Sequence, residues 1–273
     1  MSQSQTSSPS PAADSNGQAL LTLKGFTKSF GAVQALTDVD FEVSAGEVVA
    51  LVGDNGAGKS TLIKALAGTQ PGDDGEYVFE GRQVSIRSPA DARRLGIATV
   101  YQDLALAENL DVVANLFLGQ EVSASLPGIH VLDEVSMEQK AVELLSSLGV
   151  TTLRSVRTEV ASLSGGQRQA VAIARSLLGD PKMVMLDEPT AALGIVQTAQ
   201  ILKLIQTLRE RGLGVIVISH NLADVFEVAD RIAVLRLGRV AGEHRVGDVT
   251  REDVVASITG ADVEQRSTEE TPL

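Results

Sequence analysis

The chain has 273 residues, which is enough for one large domain or two modest ones. Its 23 basic and 35 acidic side chains give a formal net charge of −12, which argues against a broad surface that grips nucleic-acid phosphates. Hydrophobic residues make up 44% of the chain and can fill a core, whereas the absence of cysteine excludes disulfides, thiolate metal sites and a cysteine nucleophile and fits a reducing compartment.

The two ends of the chain differ in composition from its body. Residues 1–18 are rich in Ser, Gln, Pro and Ala and lack the basic start and apolar core of a secretory signal, so we interpret them as a disordered tail. Residues 264–273 are interpreted as a second, flexible tail. No apolar run approaches the roughly 18 residues that a membrane span needs. We therefore expect a folded, cytoplasmic body over residues 19–263.

Short strand-like segments dominate the first hundred residues. Apolar and polar side chains alternate over Leu20–Lys24 and Val39–Val43, which is typical of half-buried strands. Glu47–Val52 is an apolar run before a glycine-rich turn, which favours a strand buried on both faces. A helix is predicted over Lys59–Ala67. Further strands are predicted over Glu76–Phe79 and Gln83–Ile86, joined by a hairpin turn, and over Ile97–Tyr101.

The pattern changes in the middle of the chain. Apolar residues recur at helical spacing between residues 137 and 148, and Gln167–Leu178 also has a helical pattern. We therefore predict an inserted, mostly helical lobe over about 103–178. Strands alternating with helices then favour a parallel sheet with crossover connections. These later strands are predicted over Met183–Leu186, Val215–Ile218 and Ile232–Leu235.

The turn after Glu47–Val52 has the pattern of a phosphate-binding loop. Gly53-Asp54-Asn55-Gly56-Ala57-Gly58-Lys59-Ser60 matches G-x-x-x-x-G-K-[ST], and a predicted strand precedes it and a predicted helix follows it. Glycines let successive N–H groups turn inward around an anion, and the helix N-terminus adds partial positive charge. Lys59 would reach the β- and γ-phosphates and the Ser60 hydroxyl would bind Mg²⁺. The alternative is a glycine-rich turn that fits the pattern by accident.

Two carboxylates end the predicted strand Met183–Leu186. Asp187 would hold Mg²⁺ through water, and Glu188 would orient or deprotonate the attacking water. Ligand sites of parallel sheets lie at the carboxyl ends of the strands, which is where this pair and the phosphate loop both fall. Taken alone, the pair would also fit a solvated strand end, so the interpretation depends on the phosphate loop.

Leu163-Ser164-Gly165-Gly166-Gln167 offers a second anion site. Ser164 and the two glycines present hydroxyl and N–H groups at the start of the predicted helix Gln167–Leu178. The alternative is an ordinary Ser/Gly helix cap.

Together these motifs resemble the ATP-binding subunit of an ABC transporter. Leu163–Gln167 is identical to the family signature and lies in the family order, between the phosphate loop and the strand that ends at Asp187. The resemblance covers about 21–245. It implies an α/β fold: a P-loop NTPase (RecA-like) core, an N-terminal antiparallel β subdomain and an inserted α-helical subdomain, together forming an ABC ATPase domain over 19–263.

The resemblance assigns a role to each matching residue. Phe30 falls where the family stacks an aromatic ring on adenine, with a core phenylalanine as the alternative. Gln102 matches the glutamine that contacts Mg²⁺ or the lytic water, and His220 matches the histidine that contacts the γ-phosphate; without the resemblance it would be a polar strand end. The expected catalytic residues are Glu188, His220, Gln102 and Lys59, with Ser60, Gln102 and Asp187 on the metal. The expected ATP-binding residues are Phe30, Gly53, Asp54, Asn55, Gly56, Ala57, Gly58, Lys59, Ser60, Thr61, Ser164, Gly165, Gly166 and Gln167.

The resemblance also implies partners. In the family, the residues at Ser164 and Gly166 of one subunit face the γ-phosphate held by the other, so we expect a homodimer. Because the sequence has no membrane span, a separate integral-membrane permease would dock near Asp103–Leu118, and the chain would lie peripherally on the cytoplasmic face of the inner membrane. No nucleic acid is expected.

Gly194 departs from the family pattern. The family usually has Asp after the Ala-Leu that follows the carboxylate pair, whereas this chain reads Ala191-Ala192-Leu193-Gly194. The loop normally contacts the second subunit, so the nature of that contact is open. The catalytic set itself is complete.

The substrate is indicated by the stretch from Gly96 to Gly119. It is similar to ATPases of bacterial monosaccharide importers of the ribose/xylose/fructose type, and Glu188–Gly194 fits that branch. A periplasmic sugar-binding protein would then take part indirectly. Three alternatives stay open: an ABC ATPase for another substrate, a soluble ABC ATPase that acts on DNA or ribosomes, and a small-molecule kinase with a phosphate loop.

Overall fold

The computed structural model describes residues 19–126 and 129–261. The predicted tails, 1–18 and 264–273, lie outside the described residues. None of the helices in the described part combines the length and apolar character that a membrane-crossing segment needs.

An antiparallel sheet forms the N-terminal subdomain. Its strands, in the order β2-β1-β4-β5, are β1 (Ala19–Phe30), β2 (Val33–Ser44), β4 (Asp74–Phe79) and β5 (Arg82–Gln83). The predicted strand Gln83–Ile86 is wrong beyond Gln83, although the amide of Val84 still donates to the carbonyl of Tyr77 at 2.8 Å. Ile86 is buried against the core without a strand partner, which accounts for the apolar pattern there.

A six-stranded sheet forms the core in the order β12-β11-β3-β10-β9-β6. The five strands from β11 to β6 are parallel, as predicted, and β12 adds an antiparallel edge. The strands are β3 (Val48–Val52), β6 (Ile97–Val100), β9 (Met183–Asp187), β10 (Gly214–Ile218), β11 (Arg231–Arg236) and β12 (Arg239–Arg245). Strands β3 and β10 are buried along their whole length, because helices or the other sheet cover both faces.

Helices flank this sheet and build the lobe. They are α1 (Lys59–Leu66), α2 (Pro89–Arg94), α3 (Val112–Phe117), α4 (Glu134–Ser147), α5 (Gly165–Ser176), α6 (Ile195–Glu210), α7 (Leu222–Val228) and α8 (Arg251–Thr259). The predicted helix Gln167–Leu178 begins two residues earlier than expected, because Ser164 caps it. Four helices were not predicted: α2, α3, α7 and α8. Each begins after a capping residue, respectively Ser88, Asp111, Asn221 and Thr250.

The lobe contains α4 and α5, which its helical pattern predicts, and α3, which that pattern does not predict. It also contains a hairpin that the sequence analysis missed, made of β7 (Ser123–Leu126) and β8 (Ile129–Leu132). The buried residues of the lobe belong to the same hydrophobic cluster as one face of the six-stranded sheet. The lobe therefore packs directly on the strands that carry the predicted site.

Candidate functional site

The phosphate loop connects β3 to α1 and depends on glycine at two close approaches. Gly53 has φ +149°, and a Cβ there would lie 2.1 Å from the carbonyl oxygen of Leu235. Gly58 has φ +107°, and a Cβ there would lie 2.8 Å from the carbonyl oxygen of Ala35. Side chains at these positions would collide with backbone, so the loop can take this path only with glycine.

The N-terminus of α1 is uncapped by any side chain. Gly58 is its N-cap residue, in a left-handed conformation, and supplies no capping group. The first-turn amides of α1 have no partner within their own helix, which makes this terminus a ready anion-binding site. The loop and the helix together thus supply the polar geometry that a phosphate needs.

Lys59 folds back over the loop. Its Nζ donates to the carbonyl oxygens of Gly53 at 2.7 Å and Asp54 at 2.9 Å. Burial lowers the pKa of Lys59, and the carboxylates of Glu188, Asp54 and Asp187 oppose that shift. The ammonium therefore lies at the loop, close to the predicted carboxylate pair.

A cavity of about 280 Å³ joins three of the predicted segments. It lies at the carboxyl ends of parallel strands, where α/β sheets bind their ligands. Predicted site residues of the phosphate loop, the strand end β9 and the segment after β6 line it together. Its lining comprises Ala35, Asn55, Gly56, Gly58, Lys59, Ser60, Thr61, Gln102, Asp187, Glu188 and Ile218.

The carboxylate pair ends β9. Burial raises the pKa of the Asp187 carboxyl, and the neighbouring Glu188 carboxylate raises it further, against the opposing influence of Lys64 and Lys59. Glu188 has the left-handed φ of +52°, and its amide donates to the carbonyl oxygen of Ile218 at 3.0 Å. A strained backbone fixed by the neighbouring strand thus sets the direction of the Glu188 side chain.

His220 does not line the cavity, but it contacts Glu188, which does. Its Nδ1 lies 2.8 Å from Oε2 of Glu188, and its side chain is 75% exposed whereas that of Glu188 is 15% exposed. Strand β10 lies beside β9, so residues that follow the two strands meet at the same sheet edge. The histidine can therefore hold the glutamate on one side while its other ring nitrogen remains available to a ligand.

The predicted second anion site lies outside this cavity. The Ser164 hydroxyl accepts a hydrogen bond from the backbone amide of Gln167 at 3.3 Å. In return, the side-chain Oε1 of Gln167 accepts one from the backbone amide of Ser164 at 2.9 Å. Within a single chain this is the capping arrangement named above as the alternative. The two glycines lie close to the loop after β9 and to the start of α6: a Cβ on Gly165 would lie 3.2 Å from Cδ2 of Leu193, and a Cβ on Gly166 would lie 2.9 Å from Cβ of Gln197.

Phe30 also lies outside the cavity. It ends β1, the residue is 44% exposed, and Nζ of Lys28 lies 5.4 Å from the ring centroid. The alternative of a core phenylalanine is therefore wrong. The exposed ring face is available to a flat ligand.

Three residues important to the site's surroundings were missed. Arg175 of α5 donates to the carbonyl oxygens of Leu104 and Ala105, both at 2.8 Å, and Asn115 of α3 is fully buried and bonds Ala107. These two side chains anchor the irregular segment after Gln102 to the lobe. Asp224 of α7 accepts from Thr190 at 2.7 Å and fixes the loop after Glu188. Only Asn115, a lone amide among apolar neighbours in sequence, carried a sequence signal.

The residues that line the cavity fit a magnesium ion coordinated by protein oxygens on one side and phosphate oxygens on the other. Ser60, Gln102 and Asp187 offer hydroxyl, amide and carboxylate oxygens to one cavity, and these are the hard ligands that Mg²⁺ prefers. Among the described residues, no cluster of three or more His, Cys, Asp or Glu forms a metal cage. A cation here would complete its shell with phosphate oxygens and water.

Comparison with known proteins agrees with this geometry. A family model described as "ABC transporter" matches residues 36–191. A fructose import ATP-binding protein of Rhizobium meliloti is 47% identical over 89% of this chain and 94% of its own length. A xylose/arabinose import ATP-binding protein of Sulfolobus acidocaldarius is 45% identical over 88% and 94%. A ribose import ATP-binding protein of Rubrobacter xylanophilus is 43% identical, but this chain spans only 48% of it.

Solved structures show the same fold. A nucleotide-free ATP-binding cassette from an ABC transporter superposes with a TM-score of 0.74 at 26% identity, covering 89% of this chain and 95% of the other. A dimeric post-hydrolysis cassette bound to ADP and Pi superposes with a TM-score of 0.69 at 26% identity, covering 83% and 98%.

Proposed function

The chain belongs to the ABC transporter family of ATP-binding proteins, and from that premise we propose that it is the ATP-hydrolysing subunit of a monosaccharide importer. The single observation that supports ATP hydrolysis most strongly is the 280 Å³ cavity. It gathers an anion-binding loop, Lys59, metal-ligand oxygens and Glu188 in one place. The fold alone would not assign an activity, whereas this combination of charges fits a nucleoside triphosphate.

Binding of ATP uses the loop and the helix end. The amides of Gly56 and Gly58 and the N-terminus of α1 would hold the β-phosphate, and Lys59 would leave its loop carbonyls to reach the γ-phosphate. Ser60 and Thr61 line the same space. Phe30 would stack on adenine, giving affinity with little discrimination between bases.

Hydrolysis needs a base beside the water molecule that attacks the γ-phosphate. Glu188 would take the proton of the attacking water or orient it, and His220 would hold Glu188 and contact the γ-phosphate. Ser60, Gln102 and Asp187 would hold Mg²⁺, which when bound neutralises phosphate charge. The bond from the Glu188 amide to the carbonyl oxygen of Ile218 and the contact with His220 would hold the carboxylate in place before ATP binds.

Two copies would complete each site. Ser164 and Gly166 lie at the start of α5, and neither of them lines the nucleotide cavity of its own chain. A solved cassette of this fold is dimeric. We infer a homodimer in which Ser164 and Gly166 of each copy face the γ-phosphate held by the other, so that ATP stabilises the closed pair.

We propose that a permease docks near Asp103–Leu118 and also enters the adjoining groove between the sheet and the lobe, where Arg175 lines the groove and bonds Leu104 and Ala105. The groove has a volume of about 370 Å³, and its lining includes Arg93, Tyr101 and Arg175. Tyr101 directly precedes Gln102, and Arg175 holds the segment just after it. A permease segment in this groove would thus act on Gln102 from both sides, and would hold the chain peripherally on the cytoplasmic face of the membrane.

The sugar is proposed from the relatives. Their names give fructose, xylose/arabinose and ribose as imported substrates. We expect the ATPase rate of the chain, reconstituted with its permease, to rise on addition of one of these sugars together with its periplasmic binding protein.

The measurement is phosphate release from such membranes, titrated with each sugar and with amino acids and peptides. Stimulation by one monosaccharide supports the proposal. Stimulation by an amino acid or a peptide and by none of the sugars would reject sugar import while leaving the ATPase assignment intact.

A further inference from the structure

The ring of Phe30 lies at the tip of a hairpin that borders the nucleotide cavity. Phe30 ends β1 and pairs with Val33, the first residue of β2. Two residues further along β2, Ala35 lines the cavity. The ring and the cavity are thus joined by a few residues of one hairpin. Whatever holds this hairpin therefore also sets where the ring lies relative to a nucleotide.

Sheet pairing on the β4 side stops before the last residues of β1. The pairing of β1 with β4 ends at Thr27 and Asp74, so Ser29 and Phe30 lie beyond the last pair of that ladder. On the other side, the register between β1 and β2 shifts just before Ser29. Any further support for this end of β1 must come from outside the ladder with β4.

Asp73, which directly precedes β4, gives that support. Its backbone amide donates to the carbonyl oxygen of Thr27 at 2.9 Å. Its carboxylate accepts from the backbone amide of Ser29 at 2.6 Å and from Nζ of Lys28 at 2.7 Å. Three consecutive residues of β1 are thus bonded to one aspartate, immediately before Phe30.

The bond between Asp73 and Lys28 also places a cation beside the ring of Phe30. The hydrogen bond from Lys28, followed by that from the Ser29 amide, holds the pKa of the Asp73 carboxyl below its usual value. The side chain of Lys28 is only 14% exposed, and its Nζ lies over the Phe30 ring, 5.4 Å from the centroid, which is within the range of a cation–π contact. Because the ammonium occupies one face of the ring, a base has to stack on the other.

We propose that Asp73 is a positioning residue for the base of the nucleotide: it fixes the Ser29 backbone and the Lys28 ammonium, and thereby directs the open face of Phe30 toward adenine. The inference rests on the proposed function, in which Phe30 stacks on adenine. Asp73 acts through the ring and not on the phosphates. Its contribution is therefore confined to the part of the binding energy that base stacking supplies.

The test measures binding of two ligands to the full chain by isothermal titration. One ligand is a non-hydrolysable ATP analogue, and the other is inorganic triphosphate, which has the phosphates but no base. The variant Asp73→Ala removes the carboxylate that bonds Lys28 and Ser29. The matched control is Asp74→Ala, which removes the next carboxylate along the chain, whose Oδ1 accepts from the amide of Gly75 at 2.8 Å.

We expect Asp73→Ala to bind the ATP analogue on the order of tenfold more weakly and to bind triphosphate as the parent chain does. Asp74→Ala should bind both ligands normally. In a Phe30→Ala background, Asp73→Ala should cause no further loss, because an effect that acts through the ring disappears with the ring.

The outcomes separate this inference from the proposed function. Normal binding of the ATP analogue by Asp73→Ala, while Phe30→Ala binds it weakly, would overturn only the role of Asp73. Equal loss of analogue and triphosphate in Asp73→Ala would also overturn it, since the damage would then extend to the phosphate loop. Normal binding by Phe30→Ala would overturn the stacking of adenine on this ring, and a parent chain that binds no ATP analogue would overturn the proposed function itself.

Discussion

Replacing Glu188 with Gln is expected to lower the ATP hydrolysis rate by about 10²–10⁴-fold, the contribution of a general base. Glutamine keeps the shape and can still accept a hydrogen bond from His220, whose Nδ1 lies 2.8 Å from the carboxylate. It cannot take a proton from water. ATP binding and the ATP-dependent dimer should therefore persist while turnover stops.

The measurement is steady-state phosphate release together with size-exclusion chromatography in ATP. Glu210→Gln, an exposed glutamate at the end of α6, removes the same charge away from the site and should leave both properties unchanged. Normal turnover by Glu188→Gln would remove this residue from the mechanism.

Replacing Lys59 with Ala is expected to weaken ATP binding by about 10- to 200-fold, the value of a lost charge-assisted hydrogen bond. The half-buried ammonium is the basic group that lines the nucleotide cavity. Its Nζ also donates to two carbonyl oxygens of its own loop. The variant therefore loses these loop contacts as well as the positive charge beside the phosphates.

Isothermal titration with a non-hydrolysable ATP analogue measures this effect. Lys140→Ala is the control, because Lys140 is an exposed lysine of α4 that does not line the cavity. Equal affinities for the two variants would contradict the assignment of Lys59 to the phosphates.

The phosphate loop and the carboxylate pair were predictable because their chemistry is local. A buried strand, glycines and Lys59 are consecutive in the chain, and Asp187 and Glu188 follow an apolar run. Parallel pairing then places both segments at one edge of the sheet, as the rule for α/β folds anticipates.

Contacts between elements that are far apart in the chain were harder to predict from the sequence. The contact of His220 with Glu188 depends on β10 lying beside β9, and the sequence pattern does not give strand order. The bonds of Arg175 to Leu104 and Ala105 depend on how the lobe docks on the core. The hairpin of β7 and β8 was missed because four-residue strands carry too short an alternation to be recognised.

The signature illustrates a different limit. In one chain, Ser164 and Gln167 make a reciprocal helix cap, which is all that the local pattern requires. Its proposed role in catalysis exists only across a dimer, so the family resemblance implies it and the residues of the single chain do not.

The central claim is that ATP is held between the phosphate loop of one copy and the signature of the other. The most direct measurement is intermolecular crosslinking of Asn55→Cys and Ser164→Cys in the cysteine-free Glu188→Gln chain. We predict a crosslinked dimer that forms with ATP and is lost with ADP. Failure of these positions to crosslink between copies under every nucleotide condition, although the chain binds ATP, would contradict the account.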